Sequence, residues 1–203
     1  MTRSTIEPEE TLSPATTVEL AVTAKDKQIA RLAAAAVGLA LVDAAIPLPL
    51  PGVKPGLANI ITLLALAHYG WRVAVWVSLL RVFASALLLG QFLAPGFFLS
   101  LVGAIASLLA LGLVYRLPCR WFGLVSWSLF ASFAHMAGQI ALARLWLVPH
   151  DGIFRLLPLF ALTALLFGIL NGLVAEGIRG QKSDIREQES GIRRQRIEDR
   201  GQA

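Results

Sequence analysis

From Leu32 to Ile178 the chain carries only ten charged side chains: Asp43, Lys54, Arg72, Arg81, Arg116, Arg120, Arg144, Asp151, Arg155 and Glu176. Nine more precede this stretch and twelve follow it. A soluble domain carries about 25% charged residues, and ten charges cannot cover the surface of a core this long. The distribution excludes a soluble globular domain, a disulfide-stapled secreted domain and a disordered protein. The formal net charge of +5 is therefore read against a lipid bilayer, and no nucleic-acid partner is expected. Cys119 is the one cysteine, so an intrachain disulfide or cysteine-cluster metal site is impossible. Residues 1–27 are polar and acidic, with Glu7, Glu9 and Glu10 beside Pro8 and Pro14. They read as a disordered tail, not as a cleavable leader.

A spanning helix needs about 20 predominantly apolar residues. The expected fold is an all-α integral membrane protein with six transmembrane helices, within a membrane domain of residues 28–178. Spans are expected at about 28–46, 57–69, 71–89, 96–115, 121–147 and 154–177. Pro47, Pro49 and Pro51 end the first, and the second is short. Residues 179–203 form a charged tail, either a solvated helix or disordered. With the N-terminus in the cytoplasm, one side receives Lys25, Lys27, Arg31, Arg72, Arg116, Arg120, Arg179, Lys182 and Arg186. The other receives Lys54 and Arg155, with Arg144 inside a helix end. That asymmetry places both termini in the cytoplasm, in a multi-pass protein expected in the bacterial inner membrane.

Ionisable groups inside a bilayer are costly and face a bundle interior or a cavity. Asp43 and Arg81 lie deep, so the simplest arrangement pairs them, as a substrate site or as a structural ion pair. Ser78, Arg81 and Ser85 share one helical face, as do Ser128, Ser132, His135 and Gln139. Helix–helix hydrogen bonding explains such a stripe as well as a ligand does. No carboxylate or second histidine stands at metal-ligand spacing on that face, and no metal or cofactor is expected. Gly168 and Gly172 flank Asn171, a pattern that favours close helix packing. The tryptophans, Trp71, Trp76, Trp121, Trp127 and Trp146, lie mostly toward span ends, as interfacial anchors do.

The segment from Pro47 to Asn59 has few polar side chains yet cannot be regular helix. Irregular backbone at membrane depth must be buried by protein or line a cavity. A loop that dips inward and completes the crossing of the short second helix is the economical solution, and such interruptions point to binding sites in transporters. Gly56 would open that helix, offering free amides beside Lys54 to an anionic group. A rigid surface loop is the other reading.

Four motifs carry a resemblance: Pro51-Gly52-Val53-Lys54-Pro55-Gly56-Leu57-Ala58-Asn59-Ile60, Ser78-Leu79-Leu80-Arg81, Phe92-Leu93-Ala94-Pro95 with Ser100-Leu101-Val102-Gly103, and Ala134-His135 with Gly138-Gln139. They resemble the Gx transporter family, also labelled heptaprenyl diphosphate synthase component I, over about residues 30–178. The chain departs from the family pattern at Pro55, where leucine is usual, and at Met136, where asparagine is common. The family is similar in size and topology to the substrate-binding S-components of energy-coupling-factor transporters. That likeness implies docking of small-residue pairs, here Ala30, Ala34, Ala36 and Ala40, onto a transmembrane coupling subunit.

The resemblance implies an uptake component that captures a small, anionic organic molecule from the outer side. Its site would comprise Asp43, Lys54, Gly56, Asn59, Arg81, His135, Gln139 and Asn171. The chain has no Gly-x-x-x-x-Gly-Lys loop, so ATP-driven uptake would need partner ATPases. The alternative is a membrane accessory component of a heptaprenyl diphosphate synthase. Chain-elongating prenyl synthases hold Mg²⁺ on clustered aspartates. The five aspartates here, Asp26, Asp43, Asp151, Asp184 and Asp199, are dispersed, so catalysis by this chain alone is not expected. A structural membrane partner is the third reading.

Overall fold

A computed structural model describes residues 22–46, 56–116, 123–147 and 151–201. Among these residues every regular element is helical. Helix α1 spans Ala24–Ala45 and begins earlier than the apolar run alone implies. Its start is set by a capping box: Asp26 N donates to Thr23 Oγ1 at 3.2 Å, and Thr23 N donates to Asp26 Oδ2 at 3.0 Å. Its end is set by Pro47, which drives Ile46 to an extended conformation (φ −77°, ψ 114°).

Helix α2 spans Ala58–Tyr69 and α3 spans Trp71–Leu88, separated by Gly70 alone. Gly70 has φ +84°, a left-handed value that a residue with a Cβ adopts only with strain. Its N–H donates to Leu66 O, and its own carbonyl accepts from Ala74 N, so a single residue closes one helix and opens the next. Helix α4 spans Pro95–Val114, with proline at its first position, where the missing N–H costs nothing. Helix α5, Leu124–Leu142, continues into a π-type turn at Ala143–Leu147. A 3₁₀ segment at Asp151–Leu156 leads into α6, Leu157–Gly201. Of the two readings of the C-terminal tail, the helical one holds.

Among the described residues, four helical stretches are long and apolar enough to cross a membrane: Ala24–Ala45, Trp71–Leu88, Pro95–Val114 and Gly152–Gln181. Six were expected from sequence. Helix α2, with 12 residues, reaches only about 18 Å. Helix α5 has the length but carries Ser128, Ser132, His135 and Gln139, which lower its apolarity.

Small residues bring these helices together. A Cβ on Gly172 would lie 2.6 Å from Val125 Cα, and one on Gly168 would lie 3.3 Å from Leu129 Cα. The Gly168/Gly172 pair therefore packs α6 on α5, as small-residue pairs do in membranes. Elsewhere on α5, a Cβ on Gly138 would lie 2.8 Å from Ala106 Cβ on α4. Helix α2 packs against α1, α3, α5 and α6.

The larger apolar core occupies the end of the bundle nearest Gly70, and a smaller cluster of Val82, Ala86, Phe97 and Ala104 packs α3 against α4. The larger core includes Ala36 of α1, Leu63 and Leu66 of α2, Val73 and Val77 of α3, Leu111 of α4, Leu124 of α5 and Ala175 of α6. Trp127 belongs to this core, edge-on to Tyr115, and so is not the interfacial anchor expected from sequence; Trp76 and Trp146 are exposed. The four α1 alanines differ in exposure. Ala30 and Ala34 are exposed, whereas Ala36 is in the core and Ala40 turns toward a cavity.

Candidate functional site

The cavity occupies the other end of the bundle and has a volume of about 370 Å³. Its walls come from the C-terminal halves of α1, α3 and α5 and the N-terminal halves of α2, α4 and α6. These segments share one end in an up-and-down bundle, so the cavity lies toward the connections that follow α1, α3 and α5.

The Gly70 hairpin explains how its polar floor forms. Asn59 precedes Gly70 by eleven residues and Arg81 follows it by eleven. In an antiparallel hairpin both therefore stand at the same height, roughly 16 Å from the turn at 1.5 Å per residue. Arg81 Nη1 donates to Asn59 Oδ1 at 2.9 Å. Asn59 N donates to Gly56 O at 2.8 Å, and Asn171 Nδ2 donates to the same carbonyl at 3.3 Å. Gly56 sits at φ +69°, and a Cβ there would come within 3.4 Å of the Asn59 amide. One carbonyl thus ties α2 to α6, while Asn59 ties α2 to α3.

Arg81 and Asp43 are both buried, at 7% and 6% exposure, and both line this cavity. Asp43 acts on Arg81 electrostatically. The hydrogen bond of the guanidinium, however, goes to Asn59. The expected pairing is thus a three-residue cluster, because the short α2 brings an amide to the depth of the arginine.

The α5 stripe divides between two roles. Ser128 is buried against α6, where a Cβ on Gly172 would lie 3.1 Å from its Cβ. Ser132, His135 and Gln139 line the cavity. The His135 ring lies against Gly103 of α4, where a Cβ would stand 2.8 Å from both Cε1 and Nε2. Its Nδ1 is buried and has no hydrogen-bond partner among the described residues. On α3, Ser78 is buried outside the cavity, whereas Ser85 lines it and donates to Val82 O.

Seven of the eight candidate residues border one cavity: Asp43, Gly56, Asn59, Arg81, His135, Gln139 and Asn171. Lys54 lies outside the described residues, as does the proline-rich loop to which it belongs. The proposed nest of free amides at the start of α2 is narrower than expected. The Asn59 and Ile60 amides already donate to the carbonyls of Gly56 and Leu57. Sequence reasoning missed Phe160, Thr163 and Phe167, which line the cavity with Asn171. Positions 160, 163, 167 and 171 follow helical spacing, so the face of Asn171, extended toward the N-terminus, would have found them.

The rest of the cavity is lined by apolar side chains that include Leu99, Met136, Ile140, Phe160 and Phe167. Among the described residues, no three His, Cys, Asp or Glu side chains gather where a metal could bind, and Asp43 is the one carboxylate on the described wall. This donor set does not fit a Mg²⁺–diphosphate centre of the kind built from paired aspartates. It fits hydrogen bonding to a small polar molecule with an apolar side.

Residues 32–178 match the family described as heptaprenyl diphosphate synthase component I. No curated protein and no solved structure matches the chain.

Proposed function

We propose a role from one premise: the chain belongs to the heptaprenyl diphosphate synthase component I family. On our reading it is a membrane accessory component of such a synthase that binds a small molecule in its cavity and leaves chain elongation to a partner. The observation that carries this reading is the meeting of buried Arg81 and Asn171 and half-buried Asn59 with His135 and Gln139 around one cavity. The dispersed aspartates support a reading in which the metal-dependent step belongs to another subunit. The binding residues would be Asp43, Gly56, Asn59, Arg81, His135, Gln139 and Asn171, with Lys54 added from the preceding loop.

The membrane topology proposed with it has six crossings, α2 being completed by its loop. Both termini face the cytoplasm of a bacterial inner membrane, on the strength of the Lys and Arg asymmetry. An uptake component working with an ATP-driven coupling module is the second reading. It is favoured by the position of the cavity, which under this topology lies in the outer half of the bundle.

Purification from native membranes separates the two. Recovery with a soluble prenyl synthase supports the accessory role, and recovery with an ATPase-containing membrane module supports uptake. Recovery with neither, and without any bound small molecule, contradicts both.

A further inference from the structure

We propose that the polar end of α6 is a self-association helix, along which two copies of this chain in one membrane form a parallel, in-register coiled coil. The inference is independent of what the cavity binds.

The sequence at the end of the last apolar stretch and beyond it repeats every seven residues. Residues 177–183 read Gly-Ile-Arg-Gly-Gln-Lys-Ser, 184–190 read Asp-Ile-Arg-Glu-Gln-Glu-Ser, and 191–197 read Gly-Ile-Arg-Arg-Gln-Arg-Ile. Isoleucine therefore recurs at 178, 185 and 192, and glutamine three residues after each, at 181, 188 and 195. These are the a and d positions of a heptad, and the backbone is helical through all of them, to Gly201. A solvated helix gains nothing from isoleucine at this spacing. Ile178 and Ile192 are 43% and 59% exposed, in a segment otherwise polar. On a straight helix a seven-residue stripe drifts about 20° per heptad, and it keeps to one line only when helices supercoil around each other.

The stripe also clears the bundle. Ala175 is the point at which α6 is buried in the apolar core. At about 100° per residue, position 185 lies roughly 80° round the helix from Ala175. Val174, four residues before Ile178, is exposed and begins the same line of a and d positions. A second helix can therefore lie along this line without displacing α5.

Three features select a second copy as that helix. The apolar part of α6, up to Gln181, is long enough to cross a bilayer. Two copies inserted alike therefore carry their helices out of the membrane in parallel and at equal height, so each a position meets its own counterpart. A glutamine amide has both donor and acceptor, so it complements the same amide across a two-fold axis and would be stranded against a leucine. Isoleucine at a, being β-branched, favours two strands. In this register one pair of facing g and e positions is charged on both sides, Asp184 of one copy opposite Glu189 of the other. These are like charges, which keeps the association weak and reversible.

The test is cysteine cross-linking of the full chain in the membranes in which it is made, in a Cys119→Ser background. Under mild oxidation Gln188→Cys and Ile192→Cys, at d and a, should give dimers severalfold more readily than Ser190→Cys, at the outer f position. Equal yields at the three positions, or no dimer at any, overturn the proposal. Sedimentation equilibrium in detergent then measures the strength. Ile185→Asp should weaken dimerisation at least about tenfold, the scale of one buried isoleucine. Glu189→Lys turns the like-charged pair into an opposite one and should strengthen dimerisation severalfold. An unchanged dissociation constant for Ile185→Asp, or an unchanged or larger one for Glu189→Lys, overturns the parallel register. If Ile185→Asp fails to fold, Glu189→Lys and the cross-linking pattern decide.

Discussion

The two ends of this bundle are built from the same helices and yet do opposite things. Near Gly70, Leu63, Leu66, Val73, Val77, Leu111 and Leu124 pack into one buried apolar core. At the other end Arg81, Asn59, His135 and Gln139 hold the helices around a cavity. Chain length accounts for the difference. Helix α2 stops 12 residues from its turn, so near Gly70 it fills the interior, while beyond Asn59 regular helix gives way to the Gly56 turn. The glycines reinforce the contrast. Gly172 draws α6 onto α5 where Ser128 is buried, and Gly103 makes room for the His135 ring beside the cavity.

If one end is packed and the other open, truncations should cost unequal amounts. Leu66→Ala, at the closed end, is expected to destabilise by about 2–5 kcal/mol, read as a fall in thermal unfolding temperature in detergent. Leu99→Ala, on the cavity wall, should cost clearly less, and equal losses would break the comparison. Gly172→Val places a side chain against the Val125 backbone and should cost about 1–3 kcal/mol. The polar floor can be tested by a double-mutant cycle. Asn59→Ala and Arg81→Gln should be non-additive by roughly 0.5–3 kcal/mol, whereas simple additivity would show that their bond contributes nothing. Gly38→Ala marks the small end of the scale. A Cβ there meets nothing within 4 Å, so the gain should be no more than about 1 kcal/mol from helix propensity.

Much of the architecture could be read before any coordinates. Pro47 ends α1, Gly70 divides α2 from α3, and Pro95 opens α4, because each of these residues restricts the backbone directly. Asp43, Arg81, His135 and Gln139 were legible as candidates because polar groups in an apolar helix are rare enough to stand out. Arg81 has a second partner, Asn59, that was not read. Charge complementarity drew attention to Asp43, although the equal spacing of Asn59 and Arg81 about Gly70 already placed the amide at the same depth. Ser128 and His135 occupy one stripe and appeared equivalent. Their separation depended on which neighbouring helix carried a glycine at that height. Phe160 and Phe167 were passed over because aromatic residues in a membrane helix carry no signal of their own.

The sequence by itself determined that this chain is helical and made for a bilayer, since ten charges between Leu32 and Ile178 leave no soluble alternative. It also determined which side chains share a helical face, because a period of 3.6 residues is a property of one helix alone. Only the tertiary structure decided which faces meet. That depends on the rotation and height of each helix against its neighbours, set by close contacts at Gly103, Gly138, Gly168 and Gly172. The same scattered polar residues could have been spent bonding one helix to another. The packing instead brings seven of the candidate residues to the border of one cavity.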